Sequence, residues 1–420
     1  MIHKIIMDNG LRVVFEKIDH VQSVSTGIWV GAGSINETTI NNGISHMIEH
    51  MLFKGTKTRS AFDIAEEIDS MGGQINAFTT KECTGYYTKV ASYFFDKSLE
   101  ILSDMMFNSV FDEEELEKEK KVILEEILMY EDSPEDFVHE LLTKISFEGN
   151  AISYPILGDF QSVNSIDRQA IEDYMDNYYT SDNVVVSIVG NTTLEEVQQL
   201  CAKYFQSFRK KNKLIETPRL FDYSINRQGV HKNIEQLHFC IGVQGFERNS
   251  PYYYSTNILN NVLGGSMSSR LFQNIREKSG LVYSVYSFHS SYKTTGLFGI
   301  YSALKEDNAE EVLQQIRDEI NSLRKGSITV AEFERAKSQI KGNYILSLEN
   351  TSNRMTVLGR RELFYNETIQ PEDIIPKIEK VVYEDVIEVS KILFKDSDFN
   401  IAFTGNIEDN KGIDSLFKMY

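Results

Sequence analysis

Apolar and polar positions alternate at the start of the chain in a way that predicts a hairpin. Residues 4–7 and 11–15 read as two strands, and Asn9-Gly10 between them favours a tight turn. Residues 23–30 are rich in β-branched side chains and read as a third strand, ending at Gly31-Ala32-Gly33. Helical periodicity predicts a helix over residues 60–71, capped by Ser60 with Asp63 three positions on and ended by Gly72-Gly73. Residues 74–90, dominated by Thr, Tyr and Phe, read as one long strand. Helices are predicted over 91–108, 113–130, 136–147, 167–179 and 193–208, with a strand at 183–190. The acidic start of the 113–130 helix suits the positive end of a helix dipole. Arg209, Lys210, Lys211 and Lys213, followed by Thr217-Pro218, read as a solvated linker.

The second half repeats the first. Residues 27–31 correspond to 240–244, an offset of 213, and residues 183–191 correspond to 398–406, an offset of 215. A near-constant offset argues for two domains of one fold, 1–215 and 216–420.

A helix is also predicted between the third strand and Ser60, opened by Asn42 and Gly43 and closed by Gly55 in a left-handed cap. On it His46 and His50 stand four apart and share a face, which aims two imidazoles at one point, as a zinc site requires. Glu49 lies near that face, placed to act as a base on water held at the metal. The offset of 213 carries His46, Glu49 and His50 to Leu259, Val262 and Leu263, so the second domain is expected to bind no metal there. A third ligand is offered by the 113–130 helix. Glu119 and Glu126 are seven apart, nearly two turns, and lie on one face. Val122, Ile123, Leu124, Ile127 and Leu128 surround Glu126, so that helix reads as mostly buried and its carboxylate as needing a cation or a hydrogen-bond donor. Two histidines and one glutamate leave a fourth zinc position open, the catalytic pattern.

Composition narrows the partners. A chain of 420 residues with 41% hydrophobic and 25% charged side chains is globular and long enough for two cores. A net charge of −19 disfavours nucleic acid and permits attraction of basic partners. Cys83, Cys201 and Cys240 form no disulfide framework, which fits a reducing compartment. The first ten residues lack the apolar core of a signal peptide, and no apolar run approaches the ~20 residues that span a membrane, so a cytoplasmic location with no membrane partner is expected.

Three ordered motifs carry a family resemblance: His46-Met47-Ile48-Glu49-His50-Met51-Leu52-Phe53-Lys54-Gly55-Thr56; Met71-Gly72-Gly73-Gln74-Ile75-Asn76-Ala77-Phe78-Thr79-Thr80; and Glu119-Lys120-Lys121-Val122-Ile123-Leu124-Glu125-Glu126. In these the chain resembles the pitrilysin/insulinase superfamily of zinc metallopeptidases, of the mitochondrial-processing-peptidase type with its short bacterial relatives. The resemblance implies one zinc per chain held by His46, His50 and Glu126, with Glu49 as general base and Glu119 supporting the ligands. It implies an α+β fold of two homologous half-domains, each a mostly antiparallel sheet packed with helices, enclosing a central chamber. Peptide substrate is expected as an added strand on a sheet edge at Asn76, Ala77 and Phe78. Arg276 and Tyr283 from the metal-free half are expected to act as donors to the scissile carbonyl. The implied activity is that of an endopeptidase on peptides or unfolded segments, and the acidic charge balance suggests a preference for basic ones. At half the length of four-domain members, the chain is expected to form a homodimer. A catalytically silent assembly homologue is the alternative, disfavoured by retention of both histidines and both glutamates.

Overall fold

The computed structural model describes residues 2–210, 222–395 and 399–406. In chain order the elements are β1 (Ile2–Ile6), β2 (Arg12–Lys17), β3 (Ser23–Val30), α1 (Ile44–Met51), α2 (Ala61–Ser70), β4 (Gln74–Thr79), β5 (Thr84–Ala91), α3 (Phe95–Asn108), α4 (Glu113–Asp132), α5 (Pro134–Ser146), α6 (Phe160–Ser165), α7 (Arg168–Tyr178), β6 (Val184–Gly190) and α8 (Leu194–Tyr204). They continue as β7 (Arg227–His231), β8 (Leu237–Gly245), α9 (Tyr253–Leu263), β9 (Val282–Ser291), β10 (Gly296–Leu304), α10 (Ala309–Arg324), α11 (Val330–Ser347), α12 (Thr351–Tyr365), α13 (Ile374–Glu379), α14 (Tyr383–Leu393) and β11 (Asn400–Gly405). No described helix is long and apolar enough to cross a membrane.

Each sheet is mixed and mostly antiparallel. The first runs β1-β2-β6-β3-β5-β4, with only β2 and β6 parallel. The second runs β7-β11-β8-β10-β9, with only β7 and β11 parallel. Apart from β1 the two sheets have one connectivity, which is the repeat read from the sequence. β6 and β11 are buried at every position, because helices cover both faces of a central strand and the sequence there is a continuous apolar run.

The chain divides into two compact units that are not contiguous halves. The first holds Met1–Ile127, Tyr154–Pro218 and Ile345–Asp373; the second holds Leu128–Ser153, Arg219–Tyr344 and Ile374–Tyr420. The division expected at residue 215 therefore needs amendment, since equivalent helices are exchanged. α5 packs on β8 and β11 of the second sheet, while α12 packs on β3 and β6 of the first. Small residues make the close approach possible. A Cβ at Gly359 of α12 would stand 2.0 Å from Trp29 Nε1, and one at Gly242 would stand 3.0 Å from Leu142 of α5. Trp29 is fully buried, with Nε1 donating to Ser187 Oγ at 2.7 Å and that hydroxyl donating to Met355 O at 2.9 Å.

Two local expectations are corrected. The long strand predicted over 74–90 is a hairpin, β4 and β5, whose turn closes when Thr80 N and Oγ1 donate to Cys83 O at 2.8 and 2.9 Å. Gly55 does not cap α1. The helix ends at Met51 with Leu52 in right-handed conformation, and Gly55, at φ 122°, forms a bridge to Ser60 instead. Lys211, Lys213, Thr217, Pro218 and the repeat position Asp398 lie outside the described residues.

Candidate metal centre and active site

The site is built on α1, and a buried carboxylate sets that helix in place. Gly43 at its N-terminus has φ 92°, and a Cβ there would meet Leu157 O at 2.7 Å, so only glycine fits. Glu37 supplies the cap that Gly43 lacks. Its Oε2 accepts from Gly43 N at 2.7 Å and Asn42 Nδ2 at 2.8 Å, and its Oε1 accepts from Ser45 N at 2.9 Å. Burial pushes the Glu37 carboxyl up, against the lowering effect of these bonds. Asn42, expected to open the helix, serves instead as a donor to Glu37 and to Pro155 O.

Helical spacing then divides α1 into two faces. Ile44, Met47, Ile48 and Met51 are buried in the core of the first unit. His46, Glu49 and His50 share the other face. The imidazole rings have centroids 4.6 Å apart, and His46 Nε2 and His50 Nε2 each stand 3.7 Å from Glu126 Oε2. Tetrahedral zinc with ligands at ~2.05 Å asks for ligand–ligand separations of about 3.3 Å, so a small closure completes the site. Among the described residues His46, His50 and Glu126 are the one group of three metal-competent side chains whose ligand atoms lie within 4.8 Å of one another. The chemistry of the donors fits as well. Burial, with His50 nearby, pushes the His46 imidazole down to about 3, so it is neutral and its lone pair free. His50 Nδ1 lies 2.9 Å from Glu119 Oε2, and Lys54 Nζ lies 2.7 Å from Glu119 Oε1. The tautomer with its proton on Nδ1 donates to Glu119 and leaves Nε2 facing Glu126 as an acceptor.

α4 is less buried than its sequence implies. Leu116, Glu119, Lys120, Ile123 and Ile127 form its buried stripe, but Val122 and Leu128 are exposed and the Glu126 side chain is 35% exposed. The apolar residues around Glu126 do not all face inward; the carboxylate sits at the margin of the stripe, turned to the histidines.

Glu49 is half-buried on α1. Burial pushes its carboxyl up, a hydrogen bond from Thr79 and the nearby His50 push it down, and Glu126 adds to the rise; the net direction is upward. Thr79 Oγ1 donates to Glu49 Oε2 at 2.5 Å. Thr79 ends β4, the edge strand of the first sheet, whose outer side pairs with no other strand among the described residues. On β4, Asn76 is exposed, Ala77 is half-buried, and the Phe78 ring lies 5.8 Å from Trp29.

Arg276 and Tyr283 belong to the second unit. Arg276 lies in a π-helical stretch, Phe272–Lys278, its guanidinium 4.8 Å above the Phe272 ring. Tyr283 is 74% exposed near the start of β9, the edge strand of the second sheet. Leu259, Val262 and Leu263, the counterparts of His46, Glu49 and His50, are buried on α9. Three supporting residues were not singled out from the sequence. Lys54 is four positions beyond His50, and Thr79 two beyond Ala77, so helix and strand periods could have found both. Glu37, in a loop, carries no such signal.

Residues 12–159 match the family described as Insulinase (Peptidase family M16), and residues 165–340 match the Peptidase M16 inactive domain. The chain is 43% identical over 404 residues to the uncharacterized zinc protease YmxG of Bacillus subtilis, covering 96% of this chain and 98% of that one. An uncharacterized zinc protease of Streptomyces coelicolor is 37% identical, over 92% of this chain and 85% of its own. Among solved structures, a protease from Helicobacter pylori superposes with a TM-score of 0.90 at 24% identity, covering 96% and 99% of the two chains.

Proposed function

Because the chain belongs to the insulinase family of peptidases, M16, we propose that it is a zinc-dependent endopeptidase of the inverted His-x-x-Glu-His type. The observation that carries this reading is the convergence of His46 Nε2 and His50 Nε2 on Glu126 Oε2, each at 3.7 Å, with Glu49 on the same helix face. One zinc held by these three side chains would polarise the scissile carbonyl and acidify water. Glu49 accepts the proton of the attacking water and returns it to the leaving amine nitrogen. Glu119 holds the proton on His50 Nδ1, and Lys54 balances the charge of Glu119.

The free edge of β4 supports binding of substrate as an added strand along Asn76, Ala77 and Phe78. Arg276 and Tyr283 are assigned, by their place in the sequence, as donors to the carbonyl oxygen as it becomes an oxyanion. The substrates are peptides or unfolded segments. The net charge of −19 favours basic ones, and the working form is a cytoplasmic homodimer.

Metal analysis combined with a library of unstructured peptides tests the activity. One zinc per chain, with cleavage lost to a chelator and restored by zinc, is expected. Stoichiometric zinc without cleavage of any peptide would leave the chain a binding homologue.

A further inference from the structure

We propose that Thr79 is a positioning residue that joins the strand receiving the substrate to the base that acts on it. Its Oγ1 donates to Glu49 Oε2 at 2.5 Å, a short contact of the charge-assisted kind. No other hydrogen bond reaches the Glu49 side chain among the described residues. Thr79 therefore occupies one carboxylate oxygen and sets the plane of the group, leaving Oε1 to meet the proton of the attacking water.

Packing alone does not ask for a hydroxyl here. Side chains alternate along β4, so Ile75, Ala77 and Thr79 share a face, and the first two pack into the core that holds the buried side of α1. A valine would continue that apolar row. The strand end is also well anchored. Thr79 pairs with Thr84 of β5, and Thr84 Oγ1 donates to Ala32 O at 3.0 Å. The next residue, Thr80, closes the hairpin onto Cys83. The hydroxyl is thus held by the backbone of the edge strand, and any bond added to that edge steadies it further.

This has a consequence for catalysis that rests on the reading of β4 as the strand to which substrate adds. A peptide bonded along β4 restrains the strand carrying Thr79, and Thr79 in turn restrains Glu49. Seating of the substrate and orientation of the base share one residue, so a longer strand contact raises turnover as well as affinity.

The test compares wild type, Thr79→Val, Thr79→Ser and Glu49→Gln for zinc content, and for kcat and KM on a short peptide and on one extended by several residues. Thr79→Val is expected to keep its zinc and its KM while kcat falls about 10-fold or more, the size expected of a misaligned catalytic group. Thr79→Ser should recover most of that loss. In wild type the longer peptide should show lower KM and higher kcat; in Thr79→Val it should show lower KM only. Wild-type kcat in Thr79→Val overturns the role of Thr79, as does a Thr79→Ser variant no faster than Thr79→Val. If extension changes neither constant in wild type, strand addition fails and the coupling with it, while the valine–serine contrast still judges the contact with Glu49. If Glu49→Gln cleaves at the wild-type rate, Glu49 is not the base and the proposal falls with it.

Discussion

Glu126 meets the two histidines by position rather than by burial. Its neighbours Val122 and Leu128 are exposed, and what turns it to the histidines is its place at the edge of the stripe formed by Glu119, Ile123 and Ile127. Helical period put Glu119 and Glu126 on one face, which the sequence made plain; which apolar residues of α4 face inward depends on packing far along the chain, which it did not. Replacing Glu126 with Gln removes the one anionic donor of the proposed zinc site and little else. Glu126→Gln is expected to lose most of its bound zinc in metal analysis while keeping the thermal stability of the metal-free protein. Stoichiometric zinc in that variant would remove Glu126 as an essential ligand.

At the scale of elements, the support of α1 and of the segment before Arg276 was the least legible. The hairpin turn at residues 80–83 is Thr-Lys-Glu-Cys, without Gly, Pro or Asn, so the β-rich stretch read as one strand. Glu37 reaches α1 from a loop, and only the folded chain brings its carboxylate to Gly43 and Ser45. Glu37→Ala leaves those buried N–H groups unpaired and is expected to cost about 1–3 kcal/mol of stability in denaturant unfolding, with weaker zinc binding. In the second unit Arg270 Nε and Nη2 donate to Glu332 at 2.7 and 2.9 Å, and Nη2 also donates to Ser327 O at 2.7 Å. Burial pushes the Glu332 carboxyl up, but Arg270 and Thr329 outweigh it and hold the group at about 2. A carboxyl depressed on folding stabilises the fold above its unfolded value near 4.5 and ceases to as pH falls toward 2. Glu332→Gln should therefore be less stable than wild type at pH 7, and the gap between their unfolding midpoints should narrow from about pH 4.5 downward. A gap independent of pH would count against the ion pair.

At the scale of the whole molecule, the repeat was readable because two strand motifs recur at nearly one offset, but the exchange of α5 and α12 was not. Nothing in the periodicity of α12 says that it lies on β3 and β6, more than 150 residues away in sequence. The exchange alters what a fragment can do. Residues 1–215 lack α12, so Trp29, the only tryptophan, loses its cover. That fragment is expected to show red-shifted, quencher-accessible tryptophan emission, and adding residues 216–420 should shift the emission back; an unchanged spectrum would contradict the role of α12. The chemistry proposed for this fold turns on a single proton-transfer group, Glu49. The measurement that tests it most directly is turnover of zinc-loaded Glu49→Gln on a peptide that the wild type cleaves. One zinc per chain with turnover reduced by ~10²-fold or more is the result expected of a lost general base. Turnover within a few-fold of wild type, with zinc in place, would contradict it.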